Sequence, residues 1–318
     1  MKNLQDIGEH GFIRAIRDRF PMAAAGDDAA VLASLKTPVV TTDSFFEGTH
    51  FLRWWTSPDL LAIRLLEAAL SDIAAMGAEP RSVLSAVMLP SDMDVDWLME
   101  FYKGLTSRSD CSVVGGETIE GSEFGITLTV IGECGSKKPL LRSTVNPGDS
   151  IWVTGPLGRS LDSPALLKNG RDEELTAMEK EQVELFLAPK ARFDALPAMR
   201  SCGVKAAIDI SDGLFSECEH LARESGVEIT VELERVPLVS YAGSYPVAAC
   251  SAGEDFELLF ALSAGALPPG DGFYRIGTAG TGQGFVLTHD GRRIKTNSRG
   301  YDHFSAMTQH VKGKSGGR

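Results

Sequence analysis

Six carboxylates in this chain fall where a strand or helix is expected to end: Asp27, Asp43, Asp72, Glu117, Asp209 and Asp212. Acids gathered in such places repel one another unless protons or cations intervene. An all-oxygen cluster suits a hard cation such as Mg2+. Two of the six adjoin glycine turns, Gly115-Gly116-Glu117 and Ser211-Asp212-Gly213, where backbone can approach a ligand closely. The helix expected after Gly213 also presents an N-terminus that favours phosphate. No Ser-His-Asp or Cys-His arrangement accompanies the acids, and the six histidines lack metal-ligand spacing. The set points to several Mg2+ ions gripping a polyphosphate. If the nucleophile is itself a phosphate oxygen, already ionised at neutral pH, no general base is needed. A binding protein without catalysis carries the same signature.

The elements that must position these acids follow from local pattern. Residues 1–20 read as a helix ended by Pro21. The runs Gly26–Leu32 and Val39–Asp43 are expected to pair as an antiparallel hairpin turning over Ser34–Pro38. That pairing gathers Asp27, Asp28 and Asp43 at one edge, with Thr41 and Thr42 close by; taken alone, the edge reads as a solvated tip. Ser57-Pro58 opens a helix that stops at Gly77. Asp72 sits on it among Leu65, Ala68, Ala69 and Met76, and an acid on an apolar face is costly unless capped, hydrogen-bonded or ligating.

Val83–Leu89 reads as a strand. Ser91–Asp96 resembles a calcium loop, but Trp97 and Lys103 stand where that loop needs glycine and glutamate. It is instead expected to cap a helix over 96–108. A strand at Cys111–Val114 is expected to end at Gly115-Gly116, and another covers Gly125–Glu133. In the second half, strands are expected at Ser150–Thr154, Lys205–Asp209 and Val227–Val231, with a helix from Gly213 to Gly226. Gly155–Ser160 lacks the Gly-Lys-Ser/Thr ending of a Walker A loop. Gly253–Phe260 alternates, placing Asp255 and Glu257 opposite Phe256, Leu258 and Phe260. Gly280–Gly284 is expected to be a hairpin turn.

A length of 318 residues suggests two domains, 1–136 and 150–318, joined by a linker over 137–149. A net charge of −12 argues against nucleic acid and anionic membranes as partners, though not against phosphates held through metal. Five scattered cysteines without C-x-x-C spacing favour a reducing compartment over a disulfide frame or a zinc site. With no signal-like N-terminus and no apolar run of spanning length, a cytoplasmic location is expected.

Several blocks in order carry a resemblance: Gly26-Asp27-Asp28-Ala29-Ala30; Thr42-Asp43 with Glu47-Gly48-Thr49-His50-Phe51; Ser71-Asp72 through Glu79-Pro80; Ile208-Asp209-Ile210-Ser211-Asp212-Gly213-Leu214; Gly253-Glu254-Asp255-Phe256-Glu257-Leu258; and Gly300-Tyr301-Asp302-His303-Phe304. The ordered set resembles the thiamine-monophosphate kinases of the aminoimidazole ribonucleotide synthetase superfamily. That resemblance implies an α+β fold of two domains, with N-terminal strands forming a barrel across a homodimer. It implies ATP-dependent phosphorylation of thiamine monophosphate to thiamine diphosphate with several Mg2+ ions. Asp27, Thr41, Thr42, Asp43, Asp72, Glu117, Asp209 and Asp212 would then be metal ligands. His50, Glu257 and Tyr301 would contact thiamine monophosphate. Tyr102, Gly116, Glu117, Arg142 and Ser211 would contact ATP. An aromatic face such as Tyr301 suits a cationic thiazolium. One departure is Glu117, where these kinases usually carry Gly-Gly-Asp. Gly-Gly-Glu-Thr is the synthetase's own reading, but Thr42-Asp43-Ser44-Phe45-Phe46 lacks that enzyme's Thr-Asp-Gly-Val-Gly-Thr-Lys. Another ATP-dependent ligase or cyclase of the superfamily, or a non-catalytic nucleotide- or metal-binding protein on its scaffold, are the alternatives.

Overall fold

The computed structural model describes residues 3–20, 29–168, 175–268, 270–296 and 300–301. Its first half comprises α1 (Leu4–Arg19), β1 (Pro38–Phe46), α2 (Pro58–Ala75), β2 (Glu79–Leu89), α3 (Val95–Leu105), β3 (Ser112–Glu120) and β4 (Gly125–Glu133). The second comprises β5 (Ser150–Val153), α4 (Ser163–Leu166), α5 (Ala177–Leu187), α6 (Leu196–Ser201), β6 (Ala206–Asp209), α7 (Leu214–Ser225), β7 (Glu228–Glu232), α8 (Pro246–Ser251), β8 (Leu258–Leu262), β9 (Tyr274–Gly280), β10 (Gly284–His289) and β11 (Arg292–Ile294). The proline, glycine and aspartate helix signals act as expected, while the Ser57 hydroxyl makes no cap bond and instead donates to Asp59 Oδ1 at 2.5 Å. Pro58 occupies the first turn of α2, and Gly77 follows it at φ +67°. The Asp94 carboxylate caps α3 by accepting the Asp96 N–H at 2.9 Å.

The first sheet has the order β1-β4-β2-β3 and the second β11-β10-β7-β9-β5-β8-β6. Together they give the expected two-sheet α+β architecture. Among the described residues the first sheet is open, with β1 and β3 as edges, so these strands close no barrel within one chain. One face is covered by α2 and α3, and α5 of the second half joins the same core through Val183, Phe186 and Leu187. Among the described residues the other face is bare.

Several expected strand pairings are replaced. The run Ala29–Leu32 forms no strand, and Val31 is 91% exposed, so the opening hairpin does not exist over the described residues. All nine residues of β1 instead pair antiparallel with β4, from Pro38↔Glu133 to Phe46↔Gly125. A continuous nine-residue partner satisfies more backbone groups than a short hairpin could. Asp27 and Asp28, along with Asp302–Phe304, lie outside the described residues.

β3 does not stop at Gly115-Gly116 but runs through them to Glu120. A Cβ at Gly116 would sit 1.8 Å from the Ser85 carbonyl oxygen, so this glycine serves strand pairing. Gly280–Gly284 is not a hairpin turn: β9 and β10 flank β7, one antiparallel and one parallel to it, and the connection hops over its start. Residues 253–257 precede β8 instead of extending it. Glu254 and Phe256 take φ of +49° and +53°, which breaks the expected alternation.

Candidate active site

Alternation along β1 turns Thr41 and Asp43 towards α2, while Thr42 and Ser44 face the bare side. On α2, Asp72 accepts the Thr41 hydroxyl at 2.5 Å. Asp209 ends β6 beneath the same helix and is buried at 3% exposure. Asp212 follows in the turn into α7. The acids of the two sheets therefore meet around the C-terminal half of α2.

Their electrostatics record this meeting. Burial, then the neighbouring Asp72, raises the Asp43 carboxyl to about 6. Burial, then Asp72 and more weakly Asp43, raises Asp209 to about 7, opposed by the Ser71 hydroxyl and Arg142. Glu217 on the first turn of α7 rises to about 8 through burial and Asp209, although its carboxylate accepts the Asp212 N–H at 3.2 Å. Arg142 leaves the linker in a short 3-10 turn and lines a cavity of about 470 Å³ with Thr41 and Asp72.

This donor set is all hard oxygen, and its members disfavour one another's charge, so cations relieve the site. Among the described residues no three acids converge tightly enough to cage an ion unaided. Mg2+ commonly binds through one or two carboxylates plus substrate phosphates, and a spread set fits that mode.

The remaining expected residues divide. Ser211 lies in the Asp209–Asp212 turn, and its carbonyl accepts the Glu254 N–H at 2.7 Å. Tyr301 joins that turn by donating its N–H to the Asp212 carbonyl at 2.9 Å. Burial and the charges of Glu254 and Asp212 raise its phenol. His50 accepts the Phe46 N–H on Nδ1 at 3.0 Å, which leaves Nε2 to carry the proton.

Glu117 stands apart. Its row runs Glu117–Ala86–Thr127–Ser44, on the bare face and beyond Asp43's own row, so three strand spacings put it about 14 Å across the sheet. Thr42 shares that bare face, paired with the Thr129 hydroxyl at 3.1 Å. Tyr102 is buried in the first core, with its ring 5.8 Å from Phe12 and its hydroxyl 3.5 Å from Ser85. Glu257 is 1% exposed and held by the Thr154 hydroxyl and by Arg159, each at 2.6 Å, and by Arg192.

Two acids escaped the sequence reading. Glu217 was legible by the argument used for Asp72, being an acid on the apolar face formed by Leu214, Cys218 and Leu221. Glu254 was not: its side chain is 39% exposed, its partner Arg64 lies 190 positions away, and its charge acts on Tyr301.

Residues 26–134 match the family described as AIR synthase related protein, N-terminal domain, and 146–287 match its C-terminal domain. Thiamine-monophosphate kinase of Aquifex aeolicus is 33% identical over 95% of this chain and 99% of its own length. That of Escherichia coli K12 is 33% identical over 88% and 91%. A solved structure, "AaThiL complexed with AMPPCP and TMP", superposes with a TM-score of 0.76 at 31% identity, covering 96% of this chain and 99% of its own. Escherichia coli HypE, a hydrogenase maturation protein, shares the fold at 17% identity and a TM-score of 0.69, covering 91% of this chain and 96% of its own. The chain belongs to the thiamine-monophosphate kinases, within the AIR synthase related proteins.

Proposed function

We infer that this protein phosphorylates thiamine monophosphate to thiamine diphosphate at the expense of ATP. The observation that carries this reading is the meeting of Asp43 on β1, Asp72 on α2 and Asp209 at the end of β6 beside Arg142, with Asp212 three residues on in the turn into α7. It occurs in a chain 33% identical over nearly its whole length to a kinase of that name. A phosphate oxygen of thiamine monophosphate attacks the γ-phosphorus of ATP. The new P–O bond forms as the β–γ bridge breaks, and ADP leaves with the bridging oxygen. The nucleophile is ionised already, so the protein's task is alignment and charge compensation.

Thr41, Asp43, Asp72, Asp209 and Asp212, with Asp27 from its motif, would hold Mg2+, which supplies neutralisation of the polyphosphate. Arg142 and Ser211 would face the nucleotide, while Gly116, in Asp43's row but three strands away, is accounted for by its pairing with β2. Tyr102, enclosed in the first core with its hydroxyl 3.5 Å from Ser85, would stand behind that site and not touch the nucleotide. His50 and Tyr301 would take the substrate. Glu254 replaces Glu257 as the acid facing it, because Glu257 is enclosed by two guanidinium groups.

The same reading includes a homodimer closed over the bare face of the first sheet. Val40, Phe46 and Ile119 lie there 64%, 38% and 52% exposed, beside two edges that no other described strand pairs. Glu117 and Thr42 share that face, where a second copy would cover them. A cytoplasmic setting accords with five free thiols, four of them buried. No helix of the described residues is long and apolar enough to cross a membrane.

Purified protein incubated with ATP, MgCl2 and thiamine monophosphate is expected to yield thiamine diphosphate and ADP in equal amounts, and EDTA is expected to stop it. Absence of product across metal and salt conditions would overturn the reading. Light scattering of the eluted peak tests the dimer.

A further inference from the structure

We propose that Arg64, on α2, is a positioning residue for the substrate subsite, holding the Gly253–Glu257 loop of the other domain against the Asp212 turn through Glu254. This rests on the assignment of Glu254 and Tyr301 to thiamine monophosphate.

Arg64 is 2% exposed. Its guanidinium lies over the Phe186 ring at 3.9 Å, donates to the Phe186 carbonyl, and donates to Glu254 Oε1 at 3.0 Å. A cation so placed is tolerated only when an anion and further acceptors compensate its lost hydration. Glu254 provides the anion from across the domain seam.

The loop that carries Glu254 is strained. Glu254 and Phe256 both sit in the left-handed region, and Gly253 at φ +75° is pressed so close that a Cβ would lie 2.6 Å from the Ser211 carbonyl oxygen. Such backbone persists only where its surroundings over-determine it. Its holds include the Glu254 N–H on the Ser211 carbonyl, the Phe256 N–H on the Ile210 carbonyl, the Ser160 hydroxyl on the Gly253 carbonyl, the Asp255 carboxylate accepting Gly158 and Arg159 N–H groups at 2.8 and 2.9 Å, the Glu257 contacts described above, and Arg64. Of these, Arg64 alone belongs to the first domain. A connected line therefore runs from α2 through Glu254 and Ser211-Asp212 to Tyr301, and links the seating of the two domains to the shape of the substrate subsite.

The test compares Arg64→Met, Arg64→Lys, Glu254→Gln and the double variant Arg64→Met/Glu254→Gln, with KM for each substrate measured separately. Arg64→Met is expected to raise KM for thiamine monophosphate about tenfold while KM for ATP stays within about twofold. Arg64→Lys is expected to recover most of that loss, and the double variant to be no worse than the poorer single one. Equal rises in both KM values, no rise, or no rescue by lysine would overturn the proposal. Where Arg64→Met does not fold, Arg64→Gln takes its place with the same split in KM expected, and an equal rise in both KM values or none overturns the proposal. If the wild-type protein makes no thiamine diphosphate, the functional reading fails by itself. Arg64 is then judged by amide hydrogen exchange: faster exchange over 253–257 and 211–214 in the double variant supports it, and unchanged exchange overturns it.

Discussion

Two acid-rich regions lie side by side in this molecule and are treated in opposite ways. In the Gly253–Glu257 loop every acid has a partner: Glu254 has Arg64, Asp255 has two backbone N–H groups, and Glu257 has Arg159 and Arg192. In the cluster around α2, Asp43, Asp72 and Asp209 chiefly face one another, with Arg142 the opposing charge. Paired buried acids hold a fold together, since removing one partner leaves the other charge stranded. Acids turned towards each other cost stability and are retained for what they bind. The contrast points to the buried Asp255 and Glu257 as framework and to the acids around α2 as the proposed site, with Glu254, 39% exposed and paired with Arg64, standing between the two.

Substituting on the two sides should therefore have opposite signatures. Asp43→Asn and Asp212→Asn are expected to lower kcat by about 1000-fold while the metal-free protein melts no lower than wild type. Activity close to normal would place these acids in the framework. Glu257→Gln is expected to cost about 3 kcal/mol in urea unfolding, at the lower end for a buried pair because the two arginine side chains keep 18% and 20% exposure. A loss of turnover with unchanged unfolding would move Glu257 into the site and dissolve the comparison.

A third, smaller effect is the pH dependence of the metal-free protein. Asp43, Asp209 and Glu217 hold protons up to about 6, 7 and 8 when folded, against 3.8, 3.8 and 4.5 ordinarily. Between these limits the folded state binds more protons than the unfolded one. Stability is full below the ordinary values and is lost as pH rises through the folded ones. Melting temperature is thus expected to fall from pH 5 to 8 in EDTA, and less so in MgCl2. A rise over that interval would mean these carboxyls are neither buried nor crowded by one another as the structure places them. The smallest effect is expected from Glu117→Asp, which shortens an exposed side chain remote from the cluster and should leave kcat/KM within about threefold. Complete loss would show that the glutamate is required as it stands.

Local chemistry in the sequence determined a good deal. The Ser57-Pro58 start and Gly77 stop of α2, the Asp94 cap and the strand-turn-helix from β6 into α7 follow from side-chain and backbone preferences within a few residues. Asp72 was legible as an anomaly because an acid on an apolar face contradicts its own helix. Partners were not legible. A strand's pattern states which face is buried but not which strand lies alongside, so β1 paired with β4 and not with the run before it. Likewise Gly116 yields to the β2 backbone, and Glu117 points away from Asp43 by strand register alone. Only the assembled fold decided which acids were answered by arginine and which were left facing one another, because a charge's partner depends on distances between segments nearly 200 residues apart, as with Arg64 and Glu254, separated by 190 positions.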